Sequence, residues 1–304
     1  MVVTAGRSGL LSGRSADKLP PNCRHLSVDG LVSAQPLLEL QHLGRLRIQD
    51  CQLGSVDVQH ALQQLSNLST LTDLQISMRA GDLDEGAADV LLSLSFLRGL
   101  RVWYNGYGDD CHSHHDGHDV DIPVMRKLLK LSSLQTLSMD HLMLPNSSEY
   151  RLADAVCGMR GLQSLRLYGC MIGPDDSSAD CQKVVRALSA LPALRNLRLG
   201  CLWFWDQAAL ADFAAAAQLT GLMLVSYFEH CELVSFVGQV HKLSGLRSLW
   251  MDTPGMDLFD VDAAAASLTG LTELCLKHCN RRLVGNKFPG AILDTSGPTQ
   301  VVRA

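Results

Sequence analysis

The chain has 304 residues, with 26 Lys+Arg against 31 Asp+Glu and a hydrophobic fraction of 47%. That fraction supports a sizeable core and excludes wholesale disorder. A net charge of −5 argues against a general phosphate-binding surface, so no nucleic-acid partner is expected. No run of 18 or more apolar residues occurs, so no membrane span is expected.

Residues 1–20 hold Arg7, Arg14, several Gly and Ser, and end at the Pro20-Pro21 pair. They lack the long apolar block of a secretory signal and read as a disordered leader. The 10 cysteines are scattered and form no C-x-x-C pair. The pattern fits buried thiols in a reducing compartment, so an intracellular, cytoplasmic protein is expected.

From residue 21 onward one phrase recurs, Leu-x-x-Leu-x-apolar. It appears as Leu43, Leu46, Ile48; Leu71, Leu74, Ile76; Leu97, Leu100, Val102; and Leu134, Leu137, Met139. It returns as Leu162, Leu165, Leu167; Leu194, Leu197, Leu199; Leu219, Leu222, Leu224; Leu246, Leu249, Met251; and Leu271, Leu274, Leu276. Cys23, Leu26 and Val28 make a degenerate first copy. The end of each phrase alternates apolar, polar, apolar, which marks a short strand with one buried face. Between phrases the period lengthens to that of a helix, as in Val58, Ala61, Leu62, Leu65, then Val124, Leu128, Leu131, then Val184, Val185, Leu188, Leu191. A further helix is expected over 207–217, after Asp206. Each unit is therefore a strand, a turn and a helix, which stacking alone lets bury its leucines.

The phrase resembles the leucine-rich repeat family over residues 22–279. The resemblance implies an α/β solenoid of about ten repeats, a horseshoe or arc with a concave parallel sheet and convex helices. Spacings of 25 to 28 residues between many copies are similar to the ribonuclease-inhibitor-like and cysteine-containing (F-box-associated) types. In the family an Asn or Cys follows three residues after the last strand leucine. Cys51, Asn105, Cys170 and Cys279 match that position, whereas Leu142, Tyr227 and Pro254 do not. The resemblance implies a protein-interaction scaffold: an adaptor or substrate-recognition module of a ubiquitin-ligase-type complex, or a cytoskeletal or axonemal adaptor.

In that register the polar positions of each phrase share one face of the sheet. The central column reads Ser27, Arg47, Gln75, Arg101, Ser138, Arg166, Arg198, Met223, Trp250, Cys275. The next column includes Trp103 beside Arg101 and Tyr168 beside Arg166. Arginine and large aromatics are enriched where partners bind most tightly. Arg47, Arg101, Trp103, Arg166, Tyr168, Arg198 and Trp250 are therefore the candidate partner-binding residues, suited to a protein with an acidic segment. The competing account is that any solvated sheet face must carry polar residues.

The longest unit contains an insertion at about residues 104–121. Four of the 11 histidines fall within seven residues there. Cys111, His112, His114, His115 and His118 are candidate ligands for zinc or copper, with a solvated rim loop as the alternative. Gly117 argues against a helix carrying His114 and His118 on one face. No phosphate loop, dinucleotide fingerprint or nucleophile elbow occurs. No catalytic residue and no enzyme activity are expected, and no cofactor beyond that metal. Residues 281–304 contain no further phrase and read as an irregular C-terminal tail.

Overall fold

The computed structural model describes residues 2–4, 22–29, 35–51, 56–78, 84–104, 118–119, 127–128, 130–140, 142–144, 156–168, 171–172, 178–200, 216–225, 242–252, 270–277, 292–293 and 299–303. The chain divides into two compact units, Met1–Pro145 and Asn146–Ala304.

The first unit contains strands β1 (Val2–Thr4), β2 (His25–Asp29), β3 (Arg45–Cys51), β4 (Asp73–Met78), β5 (Gly99–Tyr104), β6 (His118–Asp119), β7 (Thr136–Asp140) and β8 (Leu142–Leu144). A parallel sheet runs in the order β1-β2-β3-β4-β5-β7. Its register places Leu26, Leu46, Leu74, Leu100 and Leu137 side by side. All five are buried. The phrase is thus the unit of pairing: a one-residue slip would turn every leucine to the other face.

Helices Val56–Gln64 and Glu85–Ser93, which follow β3 and β4 along the chain, pack against each other. The second opens on Asp84, whose carboxylate accepts from the Ala87 amide at 2.7 Å and from Gln59 Nε2 at 3.3 Å. One side chain therefore caps its own helix and ties it to the neighbouring one. Ala87, Ala88 and Leu91 turn inward from this helix, and Leu62 from the preceding one.

From helix to strand the leucines keep a period of three. Leu91, Leu94, Leu97 and Leu100 are all buried. The Leu94 amide donates to the Leu91 carbonyl at 3.2 Å, and the Leu97 amide to the Leu94 carbonyl at 3.0 Å. Leu65, Leu68 and Leu71 repeat these bonds, as do Leu128, Leu131 and Leu134. Three residues per turn stack positions i and i+3 on one side, so the turn delivers each leucine to the core. One carbonyl before each strand then accepts two amides of the next repeat. Gly44 accepts from Thr72 and Asp73, Thr72 from Arg98 and Gly99, and Arg98 from Gln135 and Thr136.

The second unit contains β9 (Ser164–Tyr168), β10 (Met171–Ile172), β11 (Asn196–Gly200), β12 (Gly221–Val225), β13 (Ser248–Asp252), β14 (Glu273–Lys277), β15 (Ile292–Leu293) and β16 (Thr299–Arg303). Strands β9-β11-β12-β13-β14 are parallel, with Leu165, Leu197, Leu222, Leu249 and Leu274 in register. Helix Ser178–Ser189 buries Val184, Val185 and Leu188 against this sheet's core, as its period predicts. The turn bonds recur at Leu191, Leu194, Leu219 and Leu246, and the doubly accepting carbonyls at Gln163, Arg195, Thr220 and Arg247. Of the helix expected over 207–217, only residues 216–217 are described, and they form a turn.

Both stretches expected to be irregular contain strands. Residues 2–4 pair parallel with β2 as β1. Residues 299–303 pair antiparallel with β14, and β15 pairs with β16. An open parallel sheet ends on strands with unpaired backbone groups, and any extended segment that reaches them gains a ladder of hydrogen bonds. Antiparallel pairing carries no repeat phrase, so periodicity does not announce it. The insertion also ends in a strand: β6 pairs parallel with β8, His118 opposite Leu142.

Candidate functional site

On the face opposite the leucines, the first unit gathers Arg47, Arg101, Trp103, Ser138 and Asp140. Arg101 is in register with Ser138, and Trp103 with Ser77 on one side and Asp140 on the other. The Trp103 ring receives two guanidiniums, Arg101 at 5.3 Å and Arg47 at 5.1 Å from its centroid. Arg47 sits on β3, two strands from β5, so this contact spans β4. Ser77 on β4 is fully buried although it belongs to the open face. Its hydroxyl has no hydrogen-bond partner.

Arg101 is held from its other end as well. Its Nη2 donates to Asp140 Oδ2 at 2.8 Å, and Ser138 Oγ donates to Asp140 Oδ1 at 3.3 Å. The Asp140 side chain is 4% exposed and that of Arg101 42%. A buried carboxylate thus fixes a guanidinium that still reaches solvent. Arg45 and Asp73 form a further pair at 3.4 Å on the neighbouring column.

The second unit repeats the theme with different residues. The Arg166 guanidinium lies 5.0 Å from the Tyr168 ring centroid. The ring leans over Gly200, its register partner on β11, where any Cβ would overlap it. Arg198 is exposed and, unlike the other three arginines of its column, has no hydrogen bond, ion pair or ring contact among the described residues. It borders a depression of about 170 Å³ lined by Asn196, Gly221, Met223, Ser248, Trp250, Glu273 and Cys275 among others. Gly221 sits in register between Asn196 and Ser248. The missing side chain at Gly221 opens the hollow.

The structure therefore brings Arg47, Arg101 and Trp103 together in one unit, and Arg166 with Tyr168 in the other. Arg198 and Trp250 line one depression. Sequence reasoning overlooked Asp140 as the anchor of Arg101 and Gly221 as the origin of the hollow. The signal for Asp140 was its place in the column beside Trp103; for Gly221, a residue without a side chain inside a strand phrase. Cys111, His112, His114 and His115 lie outside the described residues, and His118 is described only as backbone in β6. No cluster of three metal-ligating side chains occurs among the described residues. Of the Asn/Cys positions, Cys51 ends β3, while Asn105, Cys170 and Cys279 lie outside the described residues.

No protein-family model matches the chain, and no curated protein matches it in sequence. Among solved structures it is similar to the leucine-rich repeat-containing protein LegL7 from Legionella pneumophila. That match has 15% identity and a TM-score of 0.53, and covers 91% of this chain and 90% of that one. The chain has the leucine-rich repeat fold. An internalin (inlF) from Listeria monocytogenes also matches, at 16% identity and a TM-score of 0.41, covering 88% of this chain and 77% of that one. The leucine-rich repeat solenoid expected from the phrase is the fold observed, with parallel strands paired leucine to leucine. No helix among the described residues is long and apolar enough to cross a membrane.

Proposed function

We propose that this leucine-rich repeat protein is a non-enzymatic interaction scaffold that binds protein partners on the open face of its parallel strands. The observation that supports this most directly is the Arg47–Trp103–Arg101 stack. A flat indole carries two guanidiniums, one of them held by a buried carboxylate, before any partner arrives. Preorganised arginine and aromatic groups lose little freedom on binding, so more of each contact's energy appears as affinity. An acidic segment is the partner chemistry that suits them. The adaptor roles implied by the family resemblance share this mechanism and differ in the partner: a ubiquitin-ligase substrate, or a cytoskeletal or axonemal protein.

The test is proximity labelling in the native cell with wild type and with Arg47→Glu plus Arg166→Glu. Those two guanidiniums stack on the Trp103 and Tyr168 rings, and the double reversal keeps Arg101, which pairs with Asp140. Loss of the wild-type partner set supports a docking face. An unchanged set rules it out.

A further inference from the structure

We propose that the depression on β11–β14 is an anchor pocket. It takes one apolar or aromatic side chain of a protein partner, and Arg198 pairs with an Asp or Glu carboxylate next to that side chain. The proposal rests on the reading of the open face as a docking surface and names its site and ligand chemistry.

Size selects the occupant. A volume of about 170 Å³ falls well below the ~300–1,000 Å³ of sites that enclose small-molecule ligands. It suits a single side chain. The hollow exists because Gly221 leaves a gap in a column whose neighbours, Asn196 and Ser248, carry side chains. Met223 and Trp250 supply the apolar wall from the adjacent column, and both are only half-buried, so their surface is available. A knob entering there removes apolar area of both partners from water.

Charge selects the neighbour of that knob. Arg47 and Arg101 share the Trp103 ring, Arg101 also pairs with Asp140, and Arg166 stacks on Tyr168. Arg198 has no such partner among the described residues and is exposed, and the guanidinium fork matches a carboxylate. The acid on the pocket's far side, Glu273, accepts from Ser248 Oγ at 2.9 Å. It stands three strands from Arg198, roughly 14 Å at the usual strand spacing, too far to neutralise it. Glu273 instead repels a carboxylate at the β14 end, so the partner's acid is directed to the β11 end.

The probe is a phage-displayed library of random heptapeptides, selected on the full chain. Enriched peptides are then measured against wild type, Arg198→Glu and Gly221→Leu. Gly221→Leu fills the hollow, and what its Cβ first meets is the movable end of Asn196. Arg198→Glu alters an exposed side chain without a partner among the described residues, so it keeps the fold. The expected consensus is an Asp or Glu within two residues of Phe, Trp, Leu or Met, with affinity falling about tenfold or more in each variant. Peptides lacking an acid, affinities unchanged in both variants, or no enrichment overturn the pocket. Native partners that are retained by these two variants yet lost by Arg47→Glu plus Arg166→Glu overturn the pocket and leave the docking face standing.

Discussion

Arg101 on β5 donates to Asp140 on β7 at 2.8 Å, and the two ends of this bond live in different media. The carboxylate side chain is 4% exposed and the guanidinium side chain 42%. Removing the arginine takes the cation away from a buried negative charge, whereas removing the acid leaves a cation that water can reach.

Arg101→Ala is therefore expected to destabilise the protein by about 2–3 kcal/mol, and Asp140→Asn by clearly less. Urea unfolding of the two variants measures both. Equal losses would mean that the pair behaves as an ordinary surface bridge.

Ser77 offers the opposite sign. Its hydroxyl is buried without a partner, opposite Trp103 in the β4–β5 register. Ser77→Ala removes a polar group that burial penalises and keeps the room the indole uses. It should be neutral or stabilising by about 1 kcal/mol, read as a raised urea midpoint at constant slope. A loss of more than that would reveal a hidden role for the oxygen.

Gly200 and Gly221 occupy neighbouring strands and should respond differently to the same substitution. A Cβ at Gly200 meets the ring of Tyr168, a rigid body already stacked beneath Arg166, whereas at Gly221 it meets the end of the Asn196 side chain. Gly200→Leu is expected to cost about 1–3 kcal/mol through displaced packing, with Gly221→Leu costing less. Thermal melts of the two variants decide it, and the reverse order would contradict the ring placement.

The period-three leucines predict a graded core. Leu74 is in a central strand and Leu97 in the turn that delivers the chain to β5, and both are fully buried. Alanine at either should cost about 2–5 kcal/mol, the range for large-to-small changes in a closed core. Chemical denaturation tests this. A tolerant Leu97 would show that the turns contribute direction and little packing.

Much of this architecture was legible without coordinates. Leu46, Leu74 and Leu100 announce their strands because a phrase that alternates at its end and lengthens its period afterward can bury its leucines only by stacking on copies of itself. The phrase also announced which residues stand on the open face, since period two assigns faces once the register is known. Other features left no such trace. The edge pairings of residues 2–4 and 299–303 depend on backbone groups, which every residue carries alike.

What the amino-acid order determined alone is the repeat, its register and the roster of the exposed face: Arg47, Arg101, Trp103, Arg166, Tyr168, Arg198 and Trp250. Tertiary structure decided what those residues do to one another. It put Asp140 beneath Arg101, laid two guanidiniums on Trp103, leaned Tyr168 over Gly200 and left Arg198 beside a hollow. Alternation specifies only in or out, whereas the direction in which a long side chain lies across its neighbours depends on residues dozens of positions away in sequence. Those residues come within reach only when the strands stand side by side.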